Sequence, residues 1–223
     1  MYKYLFFDAD DTVFDFRKAE RLALSELFPR FGIADTEENH RLYVKENDAC
    51  WKELEKGLMD AEELKSERFV RFFRLIGCKG DAKKAGEEQL LFLSHHGCLL
   101  NGAKETLSLL KERGYRLFLI TNGYREVQRG RLEDAALLPF FEQVFISQEL
   151  GVSKPDPAFF HYIDKRLSYD KKEALIIGDS LSSDIELGLR VGIDTCFVNR
   201  KHIATDKPKF QIESIVELLS LLD

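Results

Sequence analysis

The chain has 223 residues, 44% of them hydrophobic and 32% charged, with a formal net charge of −6. Those proportions belong to a soluble globular protein, either one large domain or a core with a smaller attached module, and they exclude a disordered chain. The 33 Lys and Arg are scattered among 39 acids, so no polymeric nucleic acid is expected as a partner, and no apolar run nears the ~18 residues of a membrane span.

The N-terminus lacks the charged head, long apolar stretch and small-residue cleavage site of a signal peptide. Cys50, Cys78, Cys98 and Cys196 show no CxxC or zinc-like pairing. A cytoplasmic protein with reduced thiols and no membrane partner is therefore expected. In chain order, the first element is the apolar run Tyr4-Leu5-Phe6-Phe7, which predicts a buried strand. From about residue 15 to residue 97 no strand is legible. Helical spacing dominates there, as at Ala19, Leu22, Ala23 and Leu27 and again at Phe69, Phe72, Phe73 and Ile76. Gly77, Gly80 and Gly86 break the pattern near its far end. Ala103, Thr106, Leu107 and Leu110 then predict a helix ended by Gly114.

Further strands are predicted at residues 116–120, 144–146, 174–177 and 195–198, alternating with helices. Ile212, Ile215, Val216, Leu219 and Leu222 predict an amphipathic helix that closes the chain. Several of the strands are apolar almost throughout, as strands covered on both faces are. The expected fold class is therefore α/β, a doubly wound parallel sheet built from residues 1–14 and 98–223. Residues 15–97 form a helical insert after the first strand, placed to lie over the strand ends as a lid.

In open α/β sheets, ligands bind beyond the carboxyl ends of the strands. Four predicted strands are followed by polar clusters: Asp8-Ala9-Asp10-Asp11-Thr12, Thr121-Asn122-Gly123, the loop Gly151-Val152-Ser153-Lys154-Pro155, and Gly178-Asp179-Ser180 running on to Asp184. Each alone reads as a turn, a helix cap or a solvated loop. With parallel strands, all four meet on one rim. Carboxylates converging there without a cation would raise one another's pKa and destabilise the fold. A divalent metal removes the problem, and oxygen ligands from Asp8, Asp179, a backbone carbonyl and waters suit Mg²⁺. Lys154, the Thr121 hydroxyl and the backbone amides around Asn122 would face an anionic substrate. One carboxylate nucleophile, one carboxyl acid/base, one metal and one lysine suit phosphoryl transfer through an aspartyl-phosphate.

DADDT, TNG, the lysine of GVSKPDP and GDSLSSD, in that order, resemble the four motifs of the haloacid dehalogenase-like hydrolases. The resemblance spans nearly the whole chain. It implies a Rossmann-like core with an α-helical cap inserted between the first and second motifs, since the interval from Asn122 to Lys154 is too short for the larger cap of other members. It implies that Asp8 attacks phosphorus, and that Asp10 protonates the leaving oxygen and later activates water. Thr121, Asn122 and Lys154 would hold the phosphoryl group, with Lys154 also orienting Asp8. The implied Mg²⁺ cofactor would be held by Asp8, Asp179, Asp184 and the Asp10 carbonyl. Asp11 stands where many members have glycine. Asp tolerates unusual backbone angles, and the Asp11 side chain is expected to face solvent or cap locally.

Asp10 favours a phosphatase over the dehalogenases, which lack this second Asp because a halide leaves without a proton. Sugar phosphate mutases share all four motifs, so a sugar-phosphate phosphatase or a phosphoglucomutase-like enzyme is the alternative. A catalytically silent regulatory module is the alternative outside the enzymes, although Asp8, Asp10, Lys154 and Asp179 all stand. FFDADDTVFDF, TNGYREVQRGRLEDAALLPFFEQVFIS and GVSKPDPAFF are similar to the pyrimidine 5′-nucleotidases of the superfamily. That similarity implies a small phosphorylated partner, a nucleoside 5′-monophosphate. Phe14, Phe16 and the sole Trp51 either offer its base a stacking face or pack cap against core. A monomer or homodimer is expected.

Overall fold

The computed structural model describes residues 1–223, the side chain of Glu55 excepted. Strand β1 (Tyr4–Phe7) opens the chain, and four helices follow it: α1 (Phe16–Leu27), α2 (Glu37–Glu55), α3 (Ala61–Ile76) and α4 (Ala82–Ser94). Next come α5 (Ala103–Glu112), β2 (Arg116–Thr121), α6 (Arg125–Asp134), β3 (Gln143–Ile146), α7 (Ser147–Leu150) and α8 (Ala158–Asp164). The chain ends with β4 (Ala174–Gly178), α9 (Glu186–Val191), β5 (Asp194–Val198), β6 (Phe210–Ile212) and α10 (Leu218–Leu221).

The strands form one parallel sheet in the order β3-β2-β1-β4-β5-β6. Alternate side chains leave a strand by opposite faces, and here both faces are covered. Leu5, Phe7, Leu119 and Ile177 enter one apolar cluster with Leu107 and Leu110 of α5. Phe6, Phe118, Ile120 and Ile176 enter the other, against Phe159 and Phe160 of α8. This two-sided burial explains why the strands read as continuous apolar runs. Leu5, Phe6 and Phe7 are fully buried, and each contributes about 1.5–3 kcal/mol, so β1 gives Asp8 a rigid base. β1 lies between β2 and β4, and the chain crosses from β3 to β4 over it. The switch point of the sheet therefore falls at the carboxyl end of β1, where ligand sites form.

The helices between β1 and β2 are set by their caps. Asp15, Thr36 and Asp60 accept hydrogen bonds from the backbone N–H of Lys18, Asn39 and Glu63 at the starts of α1, α2 and α3. Gly77, at φ 68°, ends α3. Leu24, Phe28, Tyr43, Phe69 and Phe72 make an apolar cluster within this layer. A second cluster joins Ala19, Leu64, Leu90 and Leu93 to Tyr124 and Val127, so α6 ties the helices to the sheet.

Two local expectations are corrected. Gly86 does not break a helix but lies inside α4, where a Cβ would stand 2.2 Å from the Lys65 carbonyl oxygen of α3. The glycine permits two helix backbones to approach closely. The closing helix does not begin at Ile212, which instead pairs with Val198 as the end of β6. A capping box between Ser214 and Glu217 starts a short helical turn, and α10 itself covers only four residues. The alternation Phe210-Gln211-Ile212 is a strand signal, and Ile212 happens to fit the helical spacing of the residues after it. All four cysteines are free thiols. Among the described residues, no helix is long and apolar enough to cross a membrane.

Candidate active site

Asp8 is the first residue beyond β1. Its N–H donates to the Ile177 carbonyl at 2.8 Å, extending the ladder with β4 and fixing the direction of its side chain. Lys154, from the loop after α7, is 2% exposed and spends its three N–H donors on Asp8 Oδ1 at 2.6 Å, Asp184 Oδ1 at 2.6 Å and the Ile120 carbonyl at 2.9 Å. Asn122 holds that loop in place. It accepts from the Lys154 backbone N–H at 2.8 Å and donates to the Lys154 carbonyl at 2.9 Å. Thr121, the last residue of β2, is buried, its hydroxyl 3.5 Å from the Asn122 carbonyl oxygen.

Gly178 ends β4 at a close approach. A Cβ there would lie 2.2 Å from Asp184 Oδ2, so only glycine lets the Asp184 carboxylate lie against the strand end. Asp184 Oδ2 also accepts from the Ser180 N–H at 3.1 Å. Asp8, Asp179 and Asp184 each offer a carboxylate oxygen, all within 4.8 Å of one another. Burial drives the Asp8 carboxyl well above the usual range. Lys154 opposes that shift, while Asp184, Asp179 and Asp10 add to it. Burial likewise pushes Asp179 up to about 7, helped by Asp184 and Asp11. Burial disfavours the Lys154 charge, but Asp184 and Asp8 outweigh it and raise the ammonium's pKa.

One ammonium cannot neutralise three carboxylates. The donor set is hard oxygen, negative in excess, and gathered at the ligand-binding edge of the sheet. It fits a divalent cation such as Mg²⁺, with Asp8, Asp179 and Asp184 as the residues that would hold it.

Asp10 is not part of this trio. Its Oδ1 accepts from Arg131 and its Oδ2 from Gln128 Nε2 at 2.9 Å, both on α6. Asp11 adopts φ 57°, and the turn accommodates it as expected of Asp. Its side chain is not a solvated bystander, however. Arg200 lies 3.2 Å from the Asp11 carboxylate and donates to the Asp11 carbonyl at 2.8 Å. Arg200, Gln128 and Arg131 contact the loop after β1, and motif reading did not single them out. Gln128 and Arg131 share the buried face of α6 with Val127 and Leu132, a placement that spacing alone does not give.

A cavity of about 470 Å³ opens between the carboxylates and the helical layer. Asp8, Asp10, Asn122, Lys154, Asp179 and Asp184 line its floor, and Phe16 and Trp51 line it from α1 and α2. Phe14 does not. It is fully buried, and the Arg131 guanidinium lies 4.4 Å from its ring centroid.

A family model for haloacid dehalogenase-like hydrolases matches residues 2–192. The chain is 38% identical to pyrimidine 5′-nucleotidase PynA of Streptococcus pneumoniae, over all of this chain and 95% of that protein. It is 28% identical to pyrimidine 5′-nucleotidase YjjG of Escherichia coli, over 98% and 97% of the two chains. The crystal structure of the HAD-hydrolase YfnB from Bacillus subtilis, bound to magnesium, superposes with a TM-score of 0.94 at 34% identity, over 100% and 99% of the chains. With these matches and the carboxylate–lysine cluster at the switch point, the chain belongs to the haloacid dehalogenase-like hydrolase family.

Proposed function

We propose that this protein is a Mg²⁺-dependent phosphatase of small phosphate monoesters, acting through an aspartyl-phosphate on Asp8, with a pyrimidine nucleoside 5′-monophosphate as its substrate. The observation that carries the reading is the buried contact of Lys154 with both Asp8 and Asp184, with Asp10 two residues from Asp8 on the same loop. That arrangement sets a nucleophile, a fixed positive charge and a separate proton carrier around one point.

In the first step a carboxylate oxygen of Asp8 attacks phosphorus, the bond from phosphorus to the ester oxygen breaks, and Asp10 gives its proton to that oxygen. In the second, Asp10 takes a proton from water as the water oxygen attacks the phosphorus of the aspartyl-phosphate, releasing Asp8 and inorganic phosphate. Lys154 steadies Asp8 and the charge that builds on the phosphoryl oxygens, with the Thr121 hydroxyl and the Asn122 region on the same side. Mg²⁺, bound by Asp8, Asp179, Asp184 and the Asp10 carbonyl, would supply positive charge against the transferring group.

The helical layer supports the substrate choice, because Phe16 and Trp51 give the cavity an aromatic wall at which a base can stack. The names of PynA and YjjG point the same way. We place the catalytic core at residues 1–14 and 98–223 and the cap at 15–97. The two connecting segments meet as a short antiparallel pair, with Asp15 N–H donating to the Cys98 carbonyl at 2.9 Å and Leu100 N–H to the Val13 carbonyl at 3.0 Å. A cytoplasmic monomer or homodimer is the setting that goes with this reading. Steady-state assay of the purified protein with Mg²⁺ against nucleoside and sugar monophosphates tests it. Preference for pyrimidine nucleotides is expected, and turnover of sugar phosphates with negligible nucleotide hydrolysis overturns the nucleotidase assignment.

A further inference from the structure

Arg131 is fully buried, which is rare for a guanidinium and costly unless its charge is used. Among the described residues its one ion pair is with Asp10, and its Nε and Nη2 have no hydrogen-bond partner. Phe14 covers it, with the ring centroid 4.4 Å from the guanidinium carbon, and the Phe16 centroid lies at 5.7 Å. Gln128, one turn earlier on α6 and 2% exposed, donates to the other oxygen of the same carboxylate. For stability alone, an apolar side chain of similar volume would serve this position as well or better. The buried charge acts on one group, and that group is Asp10.

We propose that Arg131, together with Gln128, is a positioning residue for Asp10. The inference rests on the reading of Asp10 as proton carrier. A carboxylate offers about four lone-pair directions, and the two α6 donors occupy one on each oxygen. The carboxylate plane is thus fixed while a lone pair on each oxygen stays free to exchange a proton. In the first step that proton passes from the Asp10 carboxyl to the leaving oxygen as the phosphorus–oxygen bond breaks. In the second it returns from water. Phe14 precedes α1 and Phe16 is its first residue, so the aromatic residues beside the motif brace the clamp whether or not Phe16 also meets a substrate.

The test compares kcat/KM on alkyl monoesters, dTMP and glucose 6-phosphate among them, with kcat/KM on 4-nitrophenyl phosphate, whose leaving group departs without a proton. Asp10→Asn is the reference. It is expected to lose far more on the alkyl esters than on the aryl ester, by a ratio of about 10² or more. Arg131→Met, which keeps the volume and removes the charge, is expected to shift the same ratio at least about tenfold, with KM nearly unchanged. Arg131→Lys is expected to recover part of the loss, and Gln128→Met to shift the ratio in the same direction by less. If Arg131→Met does not fold, as judged by circular dichroism and a thermal melt, the lysine and Gln128 variants decide the matter. Equal losses on both ester classes, or none, in variants that fold while Asp10→Asn still discriminates would overturn this inference alone. An Asp10→Asn enzyme that does not discriminate would overturn the acid/base reading and the inference with it.

Discussion

The Lys154 ammonium lies 2.6 Å from Asp8 Oδ1 with both side chains buried, and the same nitrogen reaches Asp184. One fixed cation thus touches the proposed nucleophile and one of the carboxylates that crowd it. Lys154→Met removes the charge, keeps the stem and leaves three clustered carboxylates, two of them buried, with no ammonium. We expect kcat to fall by about 10²–10³, and metal-free stability to fall as well, because breaking a buried pair exposes the full cost of the remaining charge. Assay with saturating Mg²⁺ and a thermal melt in chelator measure the two effects separately. A variant with wild-type kcat would remove Lys154 from the machinery.

Asp8→Asn separates chemistry from stability. The amide oxygen can still accept from Lys154, but the amide cannot attack phosphorus. Turnover should fall by roughly 10⁴-fold or more. Burial and the neighbouring carboxylates penalise the charged form of Asp8, so the neutral variant should melt no lower than wild type in chelator. Trapping of labelled phosphate on wild type but not on Asp8→Asn would identify the acceptor. Equal labelling of both would show that another residue takes the phosphoryl group.

Gly178→Ala places a methyl group 2.2 Å from Asp184 Oδ2, so the carboxylate must move. Overpacking of this kind costs about 1–3 kcal/mol, and the displaced group is one of the three that would hold Mg²⁺. Both the melting temperature and the apparent Mg²⁺ affinity are expected to drop. If affinity holds while stability falls, Asp184 is not needed for the cation.

Stability without metal should fall as pH rises. The Asp179 carboxyl stands at about 7 in the fold through burial, against about 4 when unfolded. Below about pH 4 both states hold the proton, so the stabilisation is intact. Between about 4 and 7 unfolding releases it, so stability declines with pH, and above 7 the loss is complete. Glu20, buried on α1 against the neighbouring helices and raised to about 7 chiefly by burial, acts in the same direction. In chelator, the melting temperature should be lower at pH 8 than at pH 5. Added Mg²⁺ should raise it at pH 8 and do little at pH 5, where protons already occupy the carboxylates. An equal Mg²⁺ effect at both values would argue against the cluster as its binding site.

Strands β1 to β5 and the loops that follow β1, β2 and β4 are legible in the sequence because an apolar run that stops abruptly at Asp8, Asn122 or Asp179 leaves a sharp boundary. Lys154 is legible by motif and not by pattern, since its burial depends on Asn122 folding back on its loop. Gln128 and Arg131 are not legible, because polar residues three apart on a helix look like a solvated face until α4 is seen packed against it. The Arg200 contact with Asp11 joins residues 189 apart and has no periodic trace at all. Ile212 fits two patterns at once, and only pairing with β5 decides between them.

Trp51 is the sharpest probe of whether the proposed cap meets a nucleobase. Its indole meets Tyr124 at 6.3 Å in an edge-on contact and also lines the cavity above the carboxylates. If it stacks on a base, Trp51→Ala loses about 1–3 kcal/mol of binding for a nucleotide, a rise in KM of about fivefold or more. Glycerol 3-phosphate, which carries no ring, should be hydrolysed with unchanged kcat and KM. If the indole only packs cap against core, both substrates should suffer alike, because a loosened cap closes less well over every ester. The ratio of the two KM changes therefore distinguishes recognition from packing. Trp51→Phe refines the answer, since a phenyl ring keeps a stacking face and should restore most of the nucleotide affinity, whereas a pure packing role would leave the loss proportional to the volume removed.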